Sequence, residues 1–120
     1  MKSTATLILS FIFSISLFSA EKDINTDTIS VIKITSAIEN NDYNFFNNAF
    51  KTKALNVNQK INGKTLLIYA SILDKPEMVN FLIENGANLK TLCVDGSNAF
   101  QYAKKNKSYY ALAELIVIST

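Results

Sequence analysis

Gly63-Lys64-Thr65-Leu66-Leu67-Ile68-Tyr69-Ala70 and Gly96-Ser97-Asn98-Ala99-Phe100-Gln101-Tyr102-Ala103 each open on glycine and close on Tyr-Ala, and they stand 33 residues apart. A further 33 residues back from Ala70 lies Ala37, inside Ile34-Thr35-Ser36-Ala37-Ile38-Glu39-Asn40-Asn41-Asp42, again a short apolar stretch closed by polar residues. Ala54-Leu55-Asn56-Val57-Asn58 answers Gly86-Ala87-Asn88-Leu89-Lys90 with one residue of slippage. A period in this range marks a repeat array, in which each unit is too small to bury its own apolar face and neighbours bury it by stacking. Three units of about 33 residues, 29–58, 59–91 and 92–120, fill the chain beyond residue 28.

The middle unit, Asn62 to Lys90, shows how such a unit is built. Thr65 is placed to accept from the free N–H groups of a helix that starts behind it. Leu66, Leu67 and Ala70 make that helix apolar, and Ala70 is small enough to let a partner helix close in. Asp74 and Glu77, three residues apart around Pro76, read as a capping-box-like start for a second helix. Met78, Val79, Leu82 and Ile83 then recur at helical spacing and face inward, and Gly86 supplies the left-handed stop.

On these residues the sequence resembles the ankyrin repeat family, whose unit is a turn with Gly-x-Thr-Pro-Leu-His-x-Ala, a second helix and Gly-Ala-Asp-Val-Asn. The middle unit keeps Gly63, Thr65, Leu67, Ala70, Val79, Leu82, Gly86 and Ala87, with Asn88-Leu89 for Asp-Val, and departs at Leu66 for proline and Ile68 for histidine. The last unit keeps Gly96, Ala103, Leu115 and an apolar Phe100 but reads Asn98-Ala99-Phe100-Gln101 in place of Thr-Pro-Leu-His. The first keeps Ala37, Phe45-Phe46 and the exit Asn56-Val57-Asn58. Weaker outer units around a good central one are expected of capping repeats, whose outer faces meet water. The resemblance implies an all-α solenoid of three helix-turn-helix repeats with short β-turn tips, running from about Ile29 to Ile118.

The first twenty residues have another character. Met1-Lys2 is a short positive start, Leu7 to Phe18 is an apolar, serine-laced run of about a dozen residues, and Ser19-Ala20 precedes the charged Glu21. That is the layout of a secretory signal peptide cut after Ala20, too short for the roughly 20 apolar residues that a membrane anchor needs. A polar leader, 21–28, would follow. The exported chain would keep eleven lysines against ten acids. Its single cysteine, Cys93, allows no internal disulfide, which fits a bacterial periplasm.

Composition excludes several chemistries. There is no histidine, hence no Ser-His or Cys-His pair, no histidine base and no conventional zinc site. There is no arginine, and the near-neutral balance offers no basic surface for nucleic acid or membrane. Asp23 and Asp27 lie in the polar leader, and Gly63-Lys64-Thr65 lacks the upstream glycine of a phosphate loop. No catalytic residue, cofactor or metal is expected. Tyr69 and Tyr102 share one repeat position, so packing is their first reading. A tyrosinate can also hold haem iron, and exported ankyrin proteins include relatives linked to catalase. The resemblance therefore leaves room for an accessory to a haem enzyme through Tyr102 or Cys93.

What remains is surface. In ankyrin stacks the variable contact positions are the turn tips and the polar end of the first helix. Carried over, these are Ile61, Asn62, Lys64, Ile72 and Leu73 in the middle unit and Val94, Asp95, Ser97, Lys105 and Asn106 in the last. Ile61, Ile72, Leu73 and Val94 are expected to form one exposed apolar ridge. The reading is a non-catalytic, monomeric module that binds another protein through the concave face and turn tips of the stack, with an immunity-type inhibitor of a secreted toxin as the alternative.

Overall fold

The computed structural model describes residues 26–120, with side-chain surroundings from Val31 onward. Among these, six helices and one short hairpin follow each other as α1 (Thr26–Glu39), α2 (Tyr43–Lys51), β1 (Lys60–Ile61), β2 (Lys64–Thr65), α3 (Leu66–Ile72), α4 (Pro76–Glu84), α5 (Ala99–Lys105) and α6 (Tyr109–Ser119). The expected all-α architecture of helix pairs is present. Helix α1 starts at Thr26, inside the stretch read as a leader, and the residues read as a signal peptide lie outside the described region.

The 33-residue period is written into the backbone itself. The turns joining α1 to α2, α3 to α4 and α5 to α6 each contain one non-glycine residue with positive φ: Asn41 at 50°, Asp74 at 57° and Lys107 at 56°. The next N–H in each turn reaches back to an alanine carbonyl, from Asp42 to Ala37 (2.8 Å), Lys75 to Ala70 (3.0 Å) and Ser108 to Ala103 (2.8 Å). All three alanines are buried, because a larger side chain there would hold the paired helices apart. After the second helices Lys53 (φ 63°) and Gly86 (φ 96°) take the same left-handed stop. The Leu55 N–H then bonds six residues back, to Ala49, whereas that of Ala87 bonds five back, to Leu82. The slippage between the exits is thus one extra residue in the loop after α2.

Helices of seven to fourteen residues are too short to be stable alone, so packing decides. Phe46, Ile38, Leu66, Leu67, Ile68, Met78, Leu82 and Leu115 are fully buried. Each contributes about 1.5–3 kcal/mol by leaving water. Phe81 on α4 meets Tyr43 and Phe46 of α2 at ring-centroid distances of 4.9 and 6.5 Å, and this aromatic seam joins the first unit to the middle one. Ile83 is half-buried and packs on the same core.

Two local expectations resolve differently. Thr65 caps α3 by accepting from the Ile68 N–H at 3.3 Å, as its position predicts. Asp74 does not cap α4: Lys75 holds the N-cap position without a side-chain bond, and Pro76 opens the helix. The Asp74 carboxylate instead accepts from the Ala111 N–H at 2.8 Å, in the first turn of α6. Its positive φ turns the side chain toward the next unit, where another set of helix N–H groups is free. The Ser108 hydroxyl returns the contact by donating to the Ile72 carbonyl at 3.0 Å. At the other end of the units, Asn58 bridges in the same way: its amide donates to the Gly86 carbonyl (3.0 Å) and its oxygen accepts from the Asn88 N–H (2.8 Å).

Candidate partner-binding face

Each of the last two units enters its first helix through a projecting finger. In the middle unit β1 and β2 pair antiparallel, Lys60 opposite Thr65 and Ile61 opposite Lys64, around Asn62-Gly63. Both turn residues have positive φ, 53° and 80°, the combination that a tight two-residue hairpin requires and that Asn-Gly supplies. The last unit's finger closes without a strand pair, through bonds from the Cys93 N–H to the Ser97 carbonyl (2.9 Å) and from the Gly96 N–H to the Cys93 carbonyl (3.0 Å). The Val94 N–H donates to the Gly63 carbonyl at 3.2 Å, so the two fingers lie edge to edge. A Cβ on Gly63 would sit 2.9 Å from both Val94 methyl carbons.

The two repeat tyrosines brace these fingers. Tyr69 donates its hydroxyl to the Ile61 carbonyl at 2.7 Å, and Tyr102 donates to the Asp95 carboxylate at 2.7 Å. Asp95 also accepts from the Cys93 thiol at 2.6 Å and the Ser97 N–H at 2.9 Å, and the Cys93 sulfur lies 3.1 Å from the Tyr102 hydroxyl. Bonds from Cys93, then Tyr102, then the Ser97 backbone hold the Asp95 carboxyl far below the usual carboxylate range. The same contacts, with Cys93 and then Asp95, push the Tyr102 phenol well above its ordinary value, and burial raises Tyr69. Both groups named for a haem link therefore already serve the finger. Among the described residues, no cluster of three or more His, Cys, Asp or Glu is placed to hold a metal ion.

The residues read from the sequence as contacts fall into two groups. Ile61, Asn62, Lys64, Val94, Asp95 and Ser97 share the paired fingers. Ile72, Leu73, Lys105 and Asn106 lie at the far ends of α3 and α5, a seven-residue helix or about 10 Å away. The single apolar ridge expected from the sequence is not formed. Ile61, Ile72 and Leu73 are half-buried and pack against the core, and the turn that follows Ile72 and Leu73 is bonded to the next unit through the Ile72 carbonyl and Asp74. Val94 alone of the four is strongly exposed, at 81%. Leu92, exposed to 48%, joins it on the same finger, and the alternation Leu92-Cys93-Val94 around a buried cysteine was a period-two signal for it. Asp95 is exposed, but both of its oxygens are already bonded within the finger.

A shallow pocket of about 450 Å³ opens elsewhere, between the loop after α2 and the end of α4, lined by Phe50, Lys53, Leu55, Asn56, Val57 and Asn85. None of the contact residues read from the sequence reaches it.

Stacked helix pairs with a 33-residue backbone period and a finger before each of the last two pairs are the geometry of one repeat type. The sequence model of the family described as ankyrin repeats (3 copies) matches residues 34–119. The chain belongs to the ankyrin repeat family. An ankyrin repeat protein of Rickettsia bellii is 34% identical over 100 residues, covering 79% of this chain and 14% of that protein. Among solved structures, the chain resembles one titled as the Bd0816 predatory endopeptidase from Bdellovibrio bacteriovorus in complex with immunity protein Bd3460. The likeness has a TM-score of 0.59 and 27% identity, and covers 70% of this chain and 44% of that one. This ankyrin chain thus spans less than half the length of either relative.

Proposed function

We propose that this ankyrin chain is a non-catalytic module that binds another protein through its paired fingers and the adjoining first helices. The observation that carries the reading is the finger edge. Val94 stands 81% exposed on a turn braced from beneath by Tyr102, Cys93 and Asp95. Together with Leu92, 48% exposed on the same finger, it makes an apolar patch on a rigid support, the kind of surface that a partner covers. Asn62, Lys64 and Ser97 supply polar contacts beside it and Ile61 its exposed edge, while Lys105, Asn106, Ile72 and Leu73 border the face about 10 Å away, at the far ends of the first helices.

A specific observation favours an immunity-type role. The structural relative is titled as an endopeptidase bound to an immunity protein. Capping of a secreted peptidase is the function we assign to the finger face, in the periplasm of a bacterium. The positive start, the apolar run from Leu7 to Phe18 and Ser19-Ala20 support export.

Affinity capture from a periplasmic extract tests both layers. Wild type and Glu77→Lys, a change on α4 away from the fingers, should retain the same protein. Val94→Asp should lose it, because an unpaired carboxylate would be desolvated. Peptidase activity in the captured protein, suppressed by wild type, would support the immunity role. Equal capture by Val94→Asp would move the binding face elsewhere.

A further inference from the structure

Helix α6 departs from its counterpart in a way that the stack does not need. Tyr109 (66% exposed), Tyr110 (74%), Ile116 (49%) and Val117 (66%) all face solvent, with Ala113 exposed between them. At 100° per residue these five fall within an arc of about 120° centred on Ala113. Thirty-three residues earlier, α4 places Pro76, Glu77, Asn80, Ile83 and Glu84 at the same positions. Glu77, Asn80 and Glu84 are exposed and polar, as a solvated helix back should be. Three polar positions have thus become Tyr110, Ala113 and Val117. Glu114 is the only charge on α6.

A fourth ankyrin unit is a poor occupant for this end of the stack. Such a unit would cover α5 as α5 covers α3, yet Gln101, Lys104 and Lys105 are exposed where α3 has Ile68 and Ser71 buried and Ile72 half-buried. The polar α5 offers a fourth unit little apolar surface to cover, while the back of α6 is apolar. We propose that this face pairs with α6 of a second copy, antiparallel about a two-fold axis at Ala113, in place of the monomer expected from the sequence.

Three features fit that occupant. In an antiparallel pair centred on Ala113, Tyr110 of one copy meets Val117 of the other and Tyr109 meets Ile116, so rings lie against branched aliphatics on both sides of the axis. Alanine at the crossing point lets the helices approach closely. Within its arc of about 120° the face carries no charge, and Glu114, about 100° round from Ala113, stands at its rim rather than in the contact. The exposed shares of the four large side chains sum to roughly 400–500 Å² per copy, from about 150–250 Å² for each aromatic and somewhat less for each aliphatic. That is little more than half of the roughly 800 Å² per partner of a standard interface, and describes a weak, reversible dimer.

Site-directed cross-linking tests the register in a Cys93→Ser background of the full chain. Under mild oxidation, Ala113→Cys should give a covalent dimer at least ten times more abundantly than Asn80→Cys, its counterpart on α4. Adding Tyr110→Lys or Val117→Lys should abolish the product, and both positions are exposed enough to accept lysine without unfolding. Association through the apolar N-terminal run would link the two cysteine variants equally and overturn the proposal. Absence of any covalent dimer at millimolar protein would also overturn it. So would flotation with phosphatidylglycerol vesicles that is lost in Tyr110→Lys, which would make the face a membrane-docking surface.

Discussion

Asp74→Gly measures how strongly one unit holds the next. Asp74 lies in the turn between α3 and α4 with φ 57°, and its carboxylate accepts from the Ala111 N–H at 2.8 Å. Glycine takes that backbone conformation without strain, so the substitution isolates the side-chain bond. Three effects of losing it overlap. A helix N-terminal cap is worth about 1 kcal/mol. A carboxylate at a helix N-terminus contributes about 0.3–1 kcal/mol. A buried donor left without an acceptor costs about 1–3 kcal/mol, and Ala111 is 0% exposed. Glycine's ease at positive φ offsets part of this, leaving a net loss of about 1–2 kcal/mol. For a domain of this size that lowers the melting temperature by roughly 5–15 °C. Asp74→Asn keeps the acceptor and loses only the charge, so it should cost under about 1 kcal/mol. Thermal melts followed by circular dichroism rank the three proteins. If Asp74→Gly melts at or above wild type, the inter-unit bond contributes nothing, and the units are held by apolar packing alone.

Gly63→Ala should cost about 1–3 kcal/mol, since φ is 80° and the new methyl would meet Val94 at 2.9 Å. Adding Val94→Ala should return only the steric part, read by denaturant midpoints. Leu73→Asp should cost well over the roughly 0.5 kcal/mol of a surface change, because Leu73 packs on the core; an unaltered melt would restore it to the exposed face. Asn41 is the counterpart of Asp74, yet its side-chain oxygen is buried without a partner. Asn41→Gly should therefore leave stability unchanged or raise it by up to about 1 kcal/mol, and a clear loss would show that the oxygen serves the helix start of α4. The finger network makes two pH predictions of opposite sign. The lowered Asp95 carboxyl contributes stability present above about pH 4 and lost as pH falls toward its folded value. The raised Tyr102 phenol contributes stability present below about pH 10 and lost as pH climbs past it. Stability against pH for Asp95→Asn and Tyr102→Phe should lose the acid and alkaline slopes respectively. Absorbance titration near 295 nm should lose a late tyrosine transition in Tyr102→Phe.

What the sequence disclosed were the features that each unit must satisfy within itself. Ala37, Ala70 and Ala103 mark helix contacts inside a pair, Thr65 caps its own helix, and Gly86 ends its own; each is a local demand met by one residue type at a fixed offset. The last unit's Asn98 and Gln101 also follow this logic. They form a reciprocal capping box in the structure, with bonds of 3.0 and 2.8 Å, although they look like a loss when compared with Thr-Pro-Leu-His. Residues that act between units were misread for the opposite reason. Asp74 sits three before Glu77 and looks like a local cap, but its backbone turns it toward a helix 37 residues away. Ile72 and Leu73 occupy positions that read as solvent-facing within one unit, yet both are half-buried against the core, where Ser108 of the next unit bonds the Ile72 carbonyl. Local pattern reports what a unit does for its own helices, and only the stack shows what it does for its neighbour. The back of α6 follows from the same distinction: its apolar residues are spaced like a core stripe, and only comparison with the polar back of α4 reveals that, among the described residues, no unit covers them.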